Sequence, residues 1–323
     1  MMRIDPSSVG HVALVAGGDS AERSISLKGA DAVAQALTRL GVNFSRLDGA
    51  RAVVDQVGAG HFDRVFNLLH GRGGEDGALQ GALRLYGVPM TGSGVLASAL
   101  TMSKVQTKRI WQATGLPTPA FRTLNRAECQ AKCQDSAGQV DDQAIASMMA
   151  GLEGPVFVKP NREGSSLGMS RITDRRELPA ALNQAFGFDD QVLVEQLIDG
   201  RELTVGWVGS TILPVIELKT PRAFYDFDAK YAASDTEYVC PAQLPNGLSD
   251  TVADLTQRAV DATGARGWGR VDFMVDGDHQ PWLLEINTTP GMTPTSLLPK
   301  AALAHGMTFE ELVWQILSQA EIA

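Results

Sequence analysis

The sequence predicts a mixed α/β chain of two or three domains, and three observations carry that expectation. Its 323 residues suffice for several cores of ordinary domain size. The first third repeats a strand, a Gly-rich polar loop and a helix, the pattern of a layer with parallel strands. From residue 155 onward strands follow in succession, and the last two form a β-hairpin over RVDFMVDGDHQPWLLEIN, Arg270 to Asn287.

His11 to Ala16 (HVALVA) reads as a short apolar strand leading into the loop Gly17-Gly18-Asp19-Ser20. A helix then runs to about Leu40, with Leu27, Val33, Leu37 and Leu40 near helical spacing and Gly41 as its stop. Arg64 to Leu69 is a second strand, and HGRGGEDG, His70 to Gly77, a second polar loop opening a second helix. Ligands bind at the C-terminal ends of parallel strands, so Glu22, His70 and Glu75 are site candidates. Met102 to Gly115 is helical, and Pro117 and Pro119 mark a crossing into a new region. The polar stretch Cys129 to Gly151 has little periodicity.

Pro155 to Lys159, Met169 to Ile172 and Gln191 to Leu197 are strands, and Gly200 to Val208 pairs with Ile212 to Leu218. Thr220 to Pro241 is a long loop rich in aromatics and charges, a length that usually signals function. A helix over Ser249 to Thr263 precedes the hairpin. The Pro- and Gly-punctuated loop NTTPGMTPTSLL, Asn287 to Leu298, follows it, and the last helix begins after Thr308.

Asp276-Gly277-Asp278-His279 supplies the hairpin turn. A loop centred there pairs Arg270 with Glu285 and Asp272 with Leu283. Alternation then puts Arg270, Asp272, Leu283, Glu285 and Asn287 on one face. Val271, Phe273, Val275, Trp282, Leu284 and Ile286 form an apolar opposite face, which supports the register. The polar face is either solvated or a set of oxygen ligands for a hard cation such as Mg²⁺ beside phosphates.

A net charge of −9 argues against a nucleic-acid partner. No apolar run reaches membrane-spanning length and no signal-peptide pattern opens the chain, so a cytoplasmic protein is expected. Three cysteines give no disulfide framework, which fits a reducing compartment. Cys129 and Cys133 have no nearby His or Cys to complete a zinc set and read as plain thiols.

No G-x-x-x-x-G-K-[ST] loop occurs. Gly92-Ser93-Gly94-Val95-Leu96-Ala97 fits G-x-G-x-x-A but lacks the acidic residue about 20 positions on that a dinucleotide site wants. A Gly-Ser turn before a helix is the better reading. Lys159 is different: it ends an apolar strand, Pro160 stops that strand, and NREGSSLGMS, Asn161 to Ser170, follows. Such a loop can aim several backbone N–H groups at an anion while the lysine adds a point charge. Glu195 and Glu202 are either contacts to a base and ribose or surface acids.

Taken together, HGRGGEDG, VKPNREGSSLGMS, FYDFDAKY, GWGRVDFM and LLEINTTPGMTPTSL closely resemble the D-alanine–D-alanine ligases of the ATP-grasp superfamily. The similarity begins at GGDSAERSIS and reaches the final helix. It implies three domains, a parallel-sheet domain over 1–101 and two that grip ATP over 102–198 and 199–323, with residues 220–241 as a lid. It implies an ADP-forming carbon–nitrogen ligase that joins two D-alanines through an acyl phosphate for peptidoglycan synthesis.

The roles it implies are specific. Lys104 and Lys159 would hold the ATP phosphates under the Gly/Ser loop with Ser166. Glu195, Gln196, Ile198 and Glu202 would line the adenosine pocket, although many relatives have Lys-Trp where this chain has Gln196-Leu197. Asp272, Glu285 and Asn287 would hold two Mg²⁺ ions, with Mn²⁺ as a substitute. Glu22 would take the first ammonium within a network including Ser165 and Tyr231, and His70 would lie beside it. Arg270 and the Gly291 N–H would face the oxyanion, Lys230 the transferred phosphate, and Ser296 with Leu297 the second carboxylate. Lys230-Tyr231 resembles dipeptide-forming enzymes rather than depsipeptide-forming ones. The family also implies a homodimer.

Overall fold

The computed structural model describes residues 5–132, 147–222 and 235–322. Cys133, Lys230, Tyr231 and most of the expected lid lie outside them.

The first strand, β1 (Val12–Ala16), is buried along its whole length, as an apolar strand covered on both faces must be. Helix α1 (Arg23–Leu40) buries Ala30, Val33, Ala36 and Leu37 along one stripe. Gly41, in the left-handed region, closes it by donating to the Leu37 and Thr38 carbonyls. Next come β2 (Phe44–Asp48), α2 (Gly49–Gly58) and β3 (Arg64–Asn67), giving a parallel three-stranded sheet in the order β2-β1-β3. Neither β2 nor α2 is among the sequence-derived elements: FSRLD is an edge strand with no buried residue and carries no apolar run.

Helices α3 (Ala78–Leu85), α4 (Val95–Met102) and α5 (Lys104–Ala113) follow. Gly94 sits at the start of α4, so the G-x-G-x-x-A stretch is a turn before a helix. The helix expected over Met102 to Gly115 is interrupted: Ser103 is extended (φ −93°, ψ 102°) and its hydroxyl accepts the Gln106 N–H. A Ser cap competes well with helix continuation, so it starts a new helix.

The second layer holds β4 (Phe121–Asn125), α6 (Arg126–Lys132), β5 (Val156–Pro160), β6 (Ser170–Ile172), α7 (Leu178–Phe186) and β7 (Gln191–Gln196). Its strands are all antiparallel, in the order β4-β7-β5-β6. Alternate residues of β5 and β7 join Leu178, Leu182 and Phe186 of α7 in one core.

The third layer is built from β8 (Gly200–Val208), β9 (Thr211–Ile212), β10 (Ile216–Lys219), β11 (Glu237–Val239), α8 (Leu248–Thr263), β12 (Trp268–Asp276) and β13 (Pro281–Asn287). The strand order is β11-β10-β8-β12-β13, with β9 against β8. Two expectations change here. Ile212 to Leu218 is two strands, and the long loop contains β11, whose Tyr238 lies opposite Leu218.

Helices α9 (Leu297–Ala304) and α10 (Phe309–Ser318) complete the chain. Helix α10 opens with a capping box between Thr308 and Glu311. Its Leu312, Trp314 and Ile316 share one apolar cluster with Leu14, Leu37 and Trp268, tying the last helix to the first sheet. Among the described residues no helix is long and apolar enough to cross a membrane.

The hairpin register differs from the expected one. Arg270 lies opposite Asn287, Asp272 opposite Glu285 and Phe273 opposite Leu283, with a break after Asp272. Leu284 is the extra residue of a bulge, and it flips the faces beyond it. Leu283 is therefore fully buried, while Leu284 faces the cleft and Trp282, opposite the cleft-lining Met274, donates to Asp276. The cause lies outside the hairpin: the Leu283 N–H donates to the Pro117 carbonyl (2.9 Å), and the Leu283 carbonyl accepts from the Thr118 hydroxyl (2.8 Å). Arg270, Asp272, Glu285 and Asn287 still share the cleft side, because all four precede or follow the bulge in step.

Candidate active site

Two cavities meet over β12 and β13. The first, about 520 Å³, lies between the second and third layers, and Lys159, Ser166, Glu195, Gln196, Ile198 and Glu202 all line it. The second, about 390 Å³, lies beneath the first layer and is lined by Glu22, His70, Glu75, Ser165, Asn287, Gly291 and Ser296. Arg270, Glu285 and Leu297 border both. Lys104 lines neither but reaches the junction, its Nζ 3.0 Å from Glu285 Oε2 and 2.7 Å from the Glu163 carbonyl.

At the junction Arg270 binds Asp272 with two nitrogens, Nε at 2.8 Å and Nη2 at 2.9 Å. Thr204 and Asn287 also donate to Asp272, at 2.6 and 3.1 Å. Two carboxylates facing each other across strands repel. Here Arg270 offsets Asp272 and Lys104 offsets Glu285. Among the described residues no three His, Cys, Asp or Glu side chains gather as a metal set. The donors at this point are two carboxylates and an amide, the hard oxygen set that Mg²⁺ takes when phosphate oxygens complete its shell.

The loop after β5 is bent by Ser165 (φ 51°) and Ser166 (φ 59°), both in the left-handed region. Such residues cost about 1–3 kcal/mol each and cluster where a loop wraps a ligand. The Ser165 hydroxyl donates to Glu22 Oε1, so the loop is tied to the entrance of α1. Gly164 permits this approach: a Cβ there would stand 2.8 Å from Glu22 Oε2.

Burial dominates the titration of the inner groups. It pulls the His70 imidazole below its ordinary range, with Glu22 only partly opposing, so a neutral ring is favoured. It pushes Glu75 up to about 8, with the Glu22 charge adding to the effect. For Glu195, burial raises the carboxyl but Lys108 and Lys159 outweigh it and hold it below its usual range. Lys159 is the mirror case: burial lowers it and Glu195 more than restores it.

Lys108 is the main residue that motif reading passes over. It is fully buried and bridges to Glu195 at 2.8 Å. Its place one helical turn after Lys104 was the available signal. Asn161 is another: its Oδ1 accepts from the Ser103 hydroxyl and the Val105 N–H, fixing the start of α5 beside the Gly/Ser loop.

A cleft gripped between two antiparallel sheets and opening onto a second cavity defines a ligase of ATP-grasp architecture. Residues 110–318 match the family described as D-ala D-ala ligase C-terminus, and residues 46–93 match D-ala D-ala ligase N-terminus. D-alanine–D-alanine ligases of Methylococcus capsulatus and Stutzerimonas stutzeri are each 48% identical to it, covering 96% and 98% of this chain and 96% of each relative. The D-alanine–D-alanine ligase of Bacillus anthracis, solved also with ATP, superposes with a TM-score of 0.79 at 29% identity, covering 95% of this chain and 96% of its own. The VanG D-Ala:D-Ser ligase of Enterococcus faecalis gives 0.80 at 25% identity, covering 95% and 98%. The chain belongs to the D-alanine–D-alanine ligase family.

Proposed function

We propose that this protein joins two D-alanines to D-alanyl-D-alanine for peptidoglycan synthesis, with ATP converted to ADP and phosphate. The observation that carries it is the shared wall of Arg270, Glu285 and Leu297 between a nucleotide-sized cavity and a polar one. A phosphoryl group bound at that wall reaches a substrate in either chamber.

ATP lies in the larger cavity, with its base between the apolar side chains of Phe157, Met169, Met274 and Leu284. Gln196, Ile198 and Glu202 border the adenosine, Ser166 covers the phosphates, and Lys159, held by Glu195, points its charge at them. Lys104 and Lys230 add to that charge. Asp272, Glu285 and Asn287 would hold two divalent cations, Mg²⁺ or Mn²⁺, which would supply further neutralisation of the phosphates.

The first D-alanine sits in the smaller cavity with its ammonium at Glu22 and His70 alongside. Its carboxylate oxygen bonds to the γ-phosphorus and ADP leaves. That step brings anion to anion, so the surrounding cations lower its barrier. The amine of the second D-alanine, its carboxylate held at Ser296 and Leu297, then attacks the acyl carbon. The C–O bond to phosphate breaks and the amine sheds a proton. Arg270 and the Gly291 N–H stabilise the oxyanion formed on the way. Ser165 ties the Gly/Ser loop to Glu22 of the first domain, a network to which the family resemblance adds Tyr231.

The working units are residues 1–101, 102–198 and 199–323, with residues 220–241 shielding the acyl phosphate from water. The protein acts as a cytoplasmic homodimer. Purified protein should release phosphate from ATP only when D-alanine is present, with dipeptide in equal amount. Release with L-amino acids alone, or none with D-alanine, overturns the assignment.

A further inference from the structure

Beneath the nucleotide cavity lies a lysine with no part in the steps above. Lys108, on α5, is completely buried, an expensive position for an ammonium unless it is fully engaged. Its Nζ lies 2.6 Å from Thr118 Oγ1, 3.4 Å from the Leu283 carbonyl and 2.8 Å from Glu195 Oε2. The other oxygen of Glu195 takes Lys159. One carboxylate thus stands between two ammonium groups: Lys159 lines the cavity, whereas Lys108 has no access to it.

We propose that Lys108 is a positioning residue for phosphate binding, holding Glu195 from behind so that Glu195 aims Lys159 at the nucleotide. The inference rests on the assignment of Lys159 to the ATP phosphates. Three elements meet at the Lys108 ammonium: the crossing segment through Thr118, strand β13 through Leu283, and strand β7 through Glu195. Leu283 directly precedes the bulge residue Leu284, which lines the cavity beside Glu285. Charge also matters. A lone Lys159–Glu195 pair is neutral, and a neutral pair attracts a polyphosphate weakly. Burial lowers the Lys108 pKa and the Glu195 charge opposes that; in its charged form Lys108 leaves the group of three with a net positive charge behind the phosphate site. Removing it frees Glu195 Oε2 to compete with phosphate for Lys159.

The test replaces Lys108 with Met, which keeps the stem and removes the charge. Steady-state kinetics should show the KM for ATP raised on the order of ten- to a hundredfold, as expected for a lost charge-assisted hydrogen bond. The KM for D-alanine should stay within about twofold, since no cavity contact to that substrate changes. ADP affinity measured by calorimetry should fall by the same factor as the ATP KM rises. A purely structural role would lower the melting temperature and the active fraction while leaving both nucleotide constants unchanged, and that result overturns the proposal. Glu195→Gln should reproduce the ATP effect, and Lys108→Met with Glu195→Gln together should be no worse than the worse single change; additive losses overturn it. Should Lys108→Met fail to fold, Glu195→Gln alone carries the test, and an unchanged ATP KM in that variant overturns the link. Lys159→Met separates the two levels: if it leaves nucleotide binding intact, the Lys159 assignment fails. If it weakens binding while Lys108→Met does not, only the Lys108 inference fails.

Discussion

Glu75 offers a quantitative test of the electrostatics under the smaller cavity. It sits in the loop His70 to Gly77, its Oε2 accepting the Gly71 N–H at 2.6 Å. Burial, reinforced by the Glu22 charge, lifts it from an ordinary 4.5 to about 8. At neutral pH it is therefore mostly protonated. Between those two values the folded chain holds a proton that the unfolded chain has lost. Stability linked to Glu75 is thus fully present below about 4.5, falls as pH rises, and is gone once pH passes about 8. At about 1.4 kcal/mol per pH unit the whole gap is worth ~5 kcal/mol. Glu75 opens on a cavity, and water there screens the charge, so ~2–3 kcal/mol is the working figure. Glu75→Gln keeps the acceptor and cannot ionise. Urea unfolding of both proteins from pH 5 to 9 should give stabilities that nearly coincide at pH 5. By pH 9 the variant should be more stable by ~2–3 kcal/mol. Parallel curves across that range would refute a proton held on Glu75.

Arg270→Ala should lower kcat by about 10²–10³-fold in phosphate-release assays if the guanidinium faces the oxyanion. A change confined to the ATP KM contradicts that role. The same substitution strips Asp272 of two hydrogen bonds, so its Mg²⁺ requirement should change as well. Gly164→Ala puts a Cβ 2.8 Å from Glu22 Oε2. The end of the flexible Glu22 side chain must swing aside and give up its bond to Ser165, a cost of about 1 kcal/mol, read as a loss of a few-fold in kcat/KM for D-alanine. Thr308→Ala removes the cap of α10, which lines neither cavity. Unfolding should show a loss of about 1 kcal/mol with kcat unchanged.

What the sequence discloses follows from the range of the forces involved. Strand β1, helix α1 with its Gly41 stop, and the turn Asp276 to His279 are set by local burial and local backbone preference, and all stand where expected. The first loops were also legible, because a parallel strand must present its C-terminal end to the same side; Glu22, His70 and Glu75 meet there. Strand β2 was invisible because an edge strand with half-exposed residues leaves no pattern. The motif resemblance supplied what local physics could not, namely that residues as distant as Ser165 and Glu22 come together.

The hairpin shows where local reasoning stops. Strict alternation is the cheapest continuation of a strand, and it puts Leu283 on the carboxylate face. The chain breaks alternation because Pro117 and Thr118, some 165 positions earlier in the case of Thr118, offer Leu283 both a carbonyl and a hydroxyl. No window around the hairpin contains that information. The break has a chemical result: it buries Leu283 in the core, gives the nucleotide cavity Leu284 as an apolar wall, and leaves Asp272 directly opposite Glu285. Two carboxylates in that relation are tolerable only with cations at hand. Arg270 on Asp272 and Lys104 on Glu285 meet that need, while Lys108 does the same for Glu195 behind them: a site built to receive phosphates must first quench its own negative charge.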